Sequence, residues 1–349
     1  MATWPDQQAA TVATASTAST ASTLSLMGLG CELPPAVDVV ALAAAKGVDT
    51  SGYESWRNAC HVRSDQDHPS TMGATALDRA LSDAGLPVSS LDLVIFTGIS
   101  RDYVPSWSVA TEIMRLLGAP PTCLGLDLTL GCAAALSGMD LARGWLAQRG
   151  SGYAAVVAAE RWSYTVDPAR PESRTWAWAD GAAAVVAGTG VSSGFADFLG
   201  AEFTTHASYN GHVLIQYGGT RYPEAPAGVD ALTRIVSSRP RDEIRETYAR
   251  CYATAYERLA LRVGVRGKRL VCNQISPRIV RMVAGGLGIG EDQVVLTGHE
   301  LGHLGAADIL VGLQQLRDTG QLDGPVVIGS STPYAFGVGM VAPSAGRLS

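Results

Sequence analysis

Cys132 is the residue in this chain whose type and setting best suit covalent chemistry. It sits in Leu128-Thr129-Leu130-Gly131-Cys132-Ala133-Ala134-Ala135-Leu136. A strand-like run ends there in glycine, and a long apolar helical pattern begins just after the cysteine. The spacing places the thiol at or near a helix N-terminus. Unpaired N–H groups and the positive end of the helix dipole favour an anion at such a position. The thiolate is the nucleophilic form of cysteine. The plainer alternative is a small residue packed under a helix, which is what most free cysteines are.

Composition narrows the class. A chain of 349 residues that is 47% hydrophobic and 17% charged has room for about two domains' worth of core. A net charge of −6 argues against nucleic acid or an anionic membrane as partner. No apolar run reaches the roughly 18 residues that span a bilayer. Residues 1–22 are rich in Ala, Ser and Thr, lack a basic start, and read as a mobile tail rather than a signal peptide. The cysteines Cys31, Cys60, Cys123, Cys132, Cys251 and Cys272 are scattered, with no C-x-x-C pair. That pattern suits reduced thiols in a cytoplasm. The histidines show no zinc-like spacing, and no phosphate-binding glycine loop is present.

The elements that must position Cys132 alternate between β-like and α-like patterns. Strands are expected over Leu24–Gly30, Leu91–Gly98, Thr122–Leu128, Tyr153–Ala159 and Ala182–Ala187, with helices over Thr71–Ala84, Trp107–Leu117 and Cys132–Gln148. A second series follows in a similar order. It has helices over Glu243–Val263, Pro277–Gly285 and Gly305–Leu316, and strands over Arg269–Gln274, Gln293–Leu296 and Pro325–Ile328.

The two series overlay. Val94–Ser100 resembles Leu270–Ser276 at an offset of 176 residues, and Gly131-Cys132 falls over Gly302-His303 at an offset of 171. A nearly constant offset points to an internal duplication, with halves over 23–190 and 191–349, each a layered α/β unit. If the halves face each other, Cys132 and His303 converge from equivalent turns. A Cys–His pair is the minimum machinery for thioester chemistry. A histidine that merely caps the following helix is the other reading of His303.

Four motifs, in order, give a family resemblance. They are Ser70-Thr71-Met72-Gly73, Gly131-Cys132-Ala133, Trp178-Ala179-Asp180-Gly181-Ala182-Ala183-Ala184, and the closing run Gly329-Ser330-Ser331 to Phe336-Gly337. Together they resemble the ketoacyl-acyl-carrier-protein synthase III group of the thiolase superfamily, from about Leu24 to the C-terminus. The resemblance implies a five-layered αβαβα fold and a homodimer. It also implies substrates carried as thioesters on coenzyme A or an acyl carrier protein. No further cofactor and no metal is expected.

One departure changes the expected chemistry. Condensing members of the family place a histidine on the strand of the second half and an asparagine before its last long helix. Here the first position is Asn273 and the second is His303. Asn273 is a fixed neutral donor, suited to an oxyanion but not to proton transfer. Asp308, five residues after His303, can reach the ring nitrogen facing away from the cysteine and hold the tautomer, as in a triad. It could instead be a helix-start residue complementing the dipole. The run Gly302–Asp308 resembles a natural-product subgroup that moves acyl groups without building a carbon–carbon bond.

The expected function is therefore an acyltransferase. Cys132 would load an acyl group, and His303 with Asp308 would activate a hydroxyl, amine or carrier-thiol acceptor. A decarboxylating ketosynthase that primes polyketide or fatty-acid synthesis is the alternative. His206 lies where this fold lines its pocket and either orients substrate or supplements His303, or is a surface or pocket-wall residue with no chemical role. Trp56, Trp107, Trp162, Trp176 and Trp178 either shape a tunnel or pack in core and interface. Arg262, Arg266, Lys268 and Arg269 either meet a carrier protein or coenzyme A phosphate, or form a solvated face. Pro333 lies in the closing loop and cannot donate, so a second oxyanion donor stays unassigned.

Overall fold

The computed structural model describes residues 23–344, apart from 52, 54, 104–105, 165–176, 193, 232–233 and 237–238. The expected mobile tail, residues 1–22, and Trp176 lie outside the described residues. The strands are β1 (Leu24–Glu32), β2 (Ala36–Asp38), β3 (Asn58–Cys60), β4 (Leu91–Phe96), β5 (Leu124–Asp127), β6 (Gly152–Glu160), β7 (Gly181–Thr189), β8 (Ala196–Thr205), β9 (Val213–Ile215), β10 (Arg234–Val236), β11 (Arg269–Cys272), β12 (Val326–Ser331) and β13 (Ala335–Pro343). The helices are α1 (Val39–Ala45), α2 (Pro69–Ala84), α3 (Val109–Leu117), α4 (Ala134–Ala147), α5 (Arg241–Val263), α6 (Pro277–Leu287), α7 (Gly298–Leu301) and α8 (Asp308–Asp318).

Nine strands hydrogen-bond in the order β11-β12-β13-β8-β1-β7-β6-β4-β5. The order is symmetric about the β8–β1 junction except for β5, which has no strand counterpart in the second half. In each half two antiparallel strands lie next to the centre and parallel strands lie outside. Within the sheet, the halves join where Leu24, Ser25 and Leu26 pair with Phe198, Asp197 and Ala196. Around that short junction the halves stack. α4 packs on β6 and β7 from one side and on β8 and β13 from the other, and α8 bridges the halves in the same way. Outside them, α2 and α3 cover the first half, and α5 and α6 cover the second. This is the αβαβα layering.

The sequence explains the layers. β7 reads Gly181-Ala182-Ala183-Ala184-Val185-Val186-Ala187-Gly188-Thr189 and is buried along its whole length. A strand covered by helices on both faces needs a continuous apolar run, and small side chains let those helices approach. The inner helix α4 is buried without a break from Ala134 to Met139, and again at Ala142 and Leu146. Its N-terminal turn lies between the two halves, so a residue just before it faces the interior.

The expected elements appear with shifted ends, and the duplication holds with one correction. Thr97 donates to Val157 as Asn273 donates to Gly329, which keeps the offset of 176 at the strand ends. At the nucleophile turn the register differs. The tight turn Gly131–Ala133 is matched by Gly305–Ala307, and α4 by α8, an offset of 174. The structural counterpart of Cys132 is therefore Ala306, and His303 lies three residues upstream of it. Gly131 (φ +53°) and Gly305 (φ +65°) each open their turn in a left-handed conformation that favours glycine. Gln293–Leu296 makes a single bridge, Val294 to Leu270, in place of a strand. β8 and β13 were not expected. Glycines at 200, 337 and 339, and polar residues at 202 and 204–205, hide their apolar pattern.

Candidate active site

Cys132 stands in the turn that opens α4, and its side chain is buried. Its sulfur lies 3.4 Å from His303 Nε2. The histidine is held from behind. His303 Nδ1 is 2.6 Å from Asp308 Oδ2, and both side chains are almost fully buried. Asp308 begins α8 and also accepts from two backbone amides, Gln274 N–H at 2.7 Å and Leu304 N–H at 2.8 Å. Burying a lone carboxylate costs several kcal/mol, so three donors are what make this position tenable. The His303 backbone is pinned as well. Its N–H donates to Ala177 and its carbonyl accepts from Ala179. The Trp178 ring meets the imidazole edge-to-face, with centroids 5.1 Å apart.

The electrostatics follow from this packing. Burial pushes the His303 imidazolium down in pKa. The Asp308 carboxylate and then Cys132 push it up by more, to about 10. An imidazolium beside the sulfur stabilises negative charge as it develops there. Glu160, at the end of β6, was not identified from sequence. It is fully buried and accepts from Ile99 N–H, Ser100 N–H and Ser100 Oγ. Burial raises its carboxyl to about 7, against the pull of those donors. It packs against Gly305, where an added Cβ would come within 2.9 Å of Glu160 Cγ.

Cys132 and His303 open onto a cavity of about 320 Å³. Its walls include Ile99, Trp162, Trp178, Val213, Leu214, Ile215, Tyr248 and Ile275. The closing loop Ser331–Tyr334 completes it. Among the described residues, no helix is long and apolar enough to cross a membrane.

The family models for 3-oxoacyl-(acyl-carrier-protein) synthase III and for its C-terminal part match residues 126–207 and 267–345. These segments carry Cys132 and the pair His303–Asp308. The beta-ketoacyl-(acyl-carrier-protein) synthase III of Sodalis glossinidius is 27% identical over 312 residues, covering 85% of this chain and 91% of that protein. The chain is a ketoacyl-acyl-carrier-protein synthase III-like member of the thiolase superfamily. Solved structures share its fold. The synthase III from Pseudomonas aeruginosa PAO1 matches with a TM-score of 0.77 at 21% identity, covering 92% of this chain and 99% of that one. ChlB3, titled an acyltransferase, matches with a TM-score of 0.75 at 21% identity, covering 92% and 98%.

Within this synthase III-like frame, two secondary expectations need correction. Asn273 does not face the cavity. Its Nδ2 donates to the Gly305 carbonyl at 2.9 Å, and its Oδ1 accepts from Ser331 N–H and lies 2.9 Å from Ser330 Oγ. The side chain joins the end of β11 to the closing loop and to the turn before α8, and it is buried there. His206 is also elsewhere. Its Nδ1 pairs with Ser208 Oγ and its ring meets Tyr209 edge-to-face, outside the cavity wall. The basic stretch is engaged on the surface: Arg262 with Glu202, Arg266 with Glu257, and Arg269 with Asp323. Trp162 and Trp178 do line the cavity, whereas the Trp56 indole donates to the Gln274 carbonyl in the core.

Proposed function

We propose that this protein is an acyltransferase of natural-product biosynthesis. Cys132 takes an acyl group from a coenzyme A or carrier-protein thioester and passes it to a hydroxyl, amine or carrier thiol, without decarboxylation. The observation that carries this reading is the pairing of His303 with both Cys132 and Asp308 while Asn273 is bound away from the cavity. A decarboxylating condensation needs donors aimed at an enolate oxygen. Here the second-half strand supplies none to the cavity, and a carboxylate-backed imidazole sits on the nucleophile instead.

The steps balance with one proton. The proton shared by Cys132 Sγ and His303 Nε2 stays on Nε2 as sulfur attacks the thioester carbonyl. The tetrahedral oxyanion faces the N–H of Cys132 at the start of its helical turn. As the carbonyl re-forms, the carrier sulfur leaves and takes that proton, which leaves His303 neutral. The acceptor then loses its proton to Nε2 as its heteroatom attacks the acyl-enzyme. Sγ departs with the electron pair, and the starting pair is restored. Asp308 holds Nδ1–H throughout and keeps Nε2 aimed at the reacting atoms.

The ketosynthase reading is favoured by the names of the curated relatives. One assay separates the two. The acylated protein is offered malonyl-carrier-protein in one arm and a panel of hydroxyl and amine acceptors in the other. Transfer to a heteroatom without carbon dioxide release is expected. Carbon dioxide release with a ketoacyl product would overturn the acyltransferase.

The homodimer is part of the same proposal. β5 forms one edge of the nine-stranded sheet, and Leu124 and Leu126 on it are 48% and 40% exposed, with Leu116 of α3 nearby in the fold. An apolar edge strand invites pairing with a second chain. Sedimentation velocity should give a dimer for the native protein, and the double substitution Leu124→Lys/Leu126→Lys should shift it to monomer. A monomeric native protein would remove β5 as the interface.

A further inference from the structure

The cavity has a polar spot that the proposed chemistry does not use. Three hydroxyls follow one another in the closing loop. Ser330 Oγ donates to the Cys132 carbonyl at 2.7 Å and contacts Asn273 Oδ1 at 2.9 Å. Thr332 Oγ1 accepts from the N–H groups of Tyr334 and Ala335. Ser331 Oγ is different. The residue is 1% exposed and lines the cavity, yet its hydroxyl makes no hydrogen bond of acceptable geometry. The phenols of Tyr248 and Tyr252 are its neighbours. A buried polar atom without a partner is uncommon and calls for an explanation.

The surroundings hold this hydroxyl in place. Ser331 N–H is fixed by Asn273 Oδ1 at 2.7 Å. The Tyr248 ring is fixed by an edge-to-face contact with Phe336, centroids 4.7 Å apart. Burial raises the Tyr248 phenol above its usual range, so it keeps its proton and can donate. Among the described lining residues, no lysine or arginine is present to meet a carboxylate. The rest of the wall is largely aliphatic and aromatic. Ser331 and Tyr248 are buried, whereas Leu214 and Ile215, each 38% exposed, mark the open side. The acceptor arrives last and must reach His303 from the open side. The buried part of the wall is left to the group that remains on Cys132.

We propose that Ser331 and Tyr248 hold a hydrogen-bonding oxygen of the acyl group, so that the site selects uncharged, oxygen-bearing acyl groups. This rests on acyl loading at Cys132, and it adds the class of acyl group to that reading. A hydrogen bond from a buried, pre-oriented hydroxyl adds binding to an acyl oxygen, and a hydrocarbon chain in its place leaves the hydroxyl with nothing beyond its tyrosine neighbours.

The test uses matched thioesters. Butyryl-, 3-hydroxybutyryl- and malonyl-coenzyme A, and the same three groups on an acyl carrier protein, are offered to the full chain. Adduct formation on Cys132 is followed by intact mass. 3-Hydroxybutyryl is expected to load about tenfold faster than butyryl, and malonyl slower than both. The ratio of hydroxybutyryl to butyryl loading should fall towards one in Ser331→Ala and decrease in Tyr248→Phe. A wild-type ratio near one, or a ratio that neither substitution changes, would overturn the subsite while leaving loading at Cys132 standing. Preferential malonyl loading would also overturn it. No adduct with any thioester would remove both the subsite and the acyltransferase reading beneath it.

Discussion

Cys132→Ala is expected to abolish acyl loading. Its intact mass should stay at that of the unmodified chain after exposure to thioesters that label the native protein. Transfer should fall by about 10⁴-fold or more, the usual cost of removing a nucleophile that acts as one unit with its base. No other thiol can take its place. Burial raises Cys31 and Cys60 to about 12 and Cys123 to about 11, and it pushes Cys251 and Cys272 upward as well. None of these five lines the cavity. Alanine keeps the backbone N–H and removes only the sulfur, so the turn before α4 should fold as it does in the native chain. An adduct of unchanged yield on Cys132→Ala would mean that the acyl group sits on another residue, and the proposed chemistry would fail at its first step.

Much of the site could be read from sequence because its residues sit in locally determined turns. Gly131-Cys132 ends a strand-like run and precedes an apolar helix, and His303 and Asp308 straddle a second such turn. The pairing of the halves was also legible, since both series of elements follow one order. The exact register was not. The 171-residue overlay matched Gly131 to Gly302, whereas the fold matches it to Gly305, because the tight turn that opens each inner helix, and not the local composition, sets the equivalence. His303 reaches Cys132 from three residues upstream of its expected counterpart, carried by its backbone bonds to Ala177 and Ala179. Roles that depend on where a side chain points were the least legible. Asn273 has the right chemistry for an oxyanion donor, but Gly305, Ser330 and Ser331 occupy its amide. Glu160 left no local signal at all. Its sequence setting is a strand end, and its partners at Ile99 and Ser100 are about sixty residues away.

Asp308→Asn should lower transfer by about 10³- to 10⁴-fold with the chain still folded, as loss of the third member of a triad does elsewhere. The geometry gives the reason. Both carboxylate oxygens accept from backbone N–H groups, Oδ1 from Leu304 and Oδ2 from Gln274, and Oδ2 also meets His303 Nδ1. An amide has one acceptor oxygen. If its NH₂ replaces Oδ2, it opposes the Gln274 N–H and favours the tautomer that leaves Nε2 protonated and unable to accept. If it replaces Oδ1, it opposes the Leu304 N–H, and the negative charge behind the imidazolium is still lost. One backbone donor is left unpaired in either case, a cost of about 1–3 kcal/mol that a thermal melt should register. The pH profile separates this from a purely structural role. In the native protein Asp308 and Cys132 hold His303 protonated up to about 10, so loading should decline only as pH rises through that value. Without Asp308, burial dominates and favours neutral imidazole, so the alkaline limb should move to lower pH. The same sign applies to stability: the raised His303 pKa contributes stability that is complete below the ordinary histidine value and is lost as pH rises through about 10. Loading rates between about pH 6 and 10 would show the shift, and an alkaline limb unmoved in Asp308→Asn would mean that Asp308 does not govern the protonation of His303.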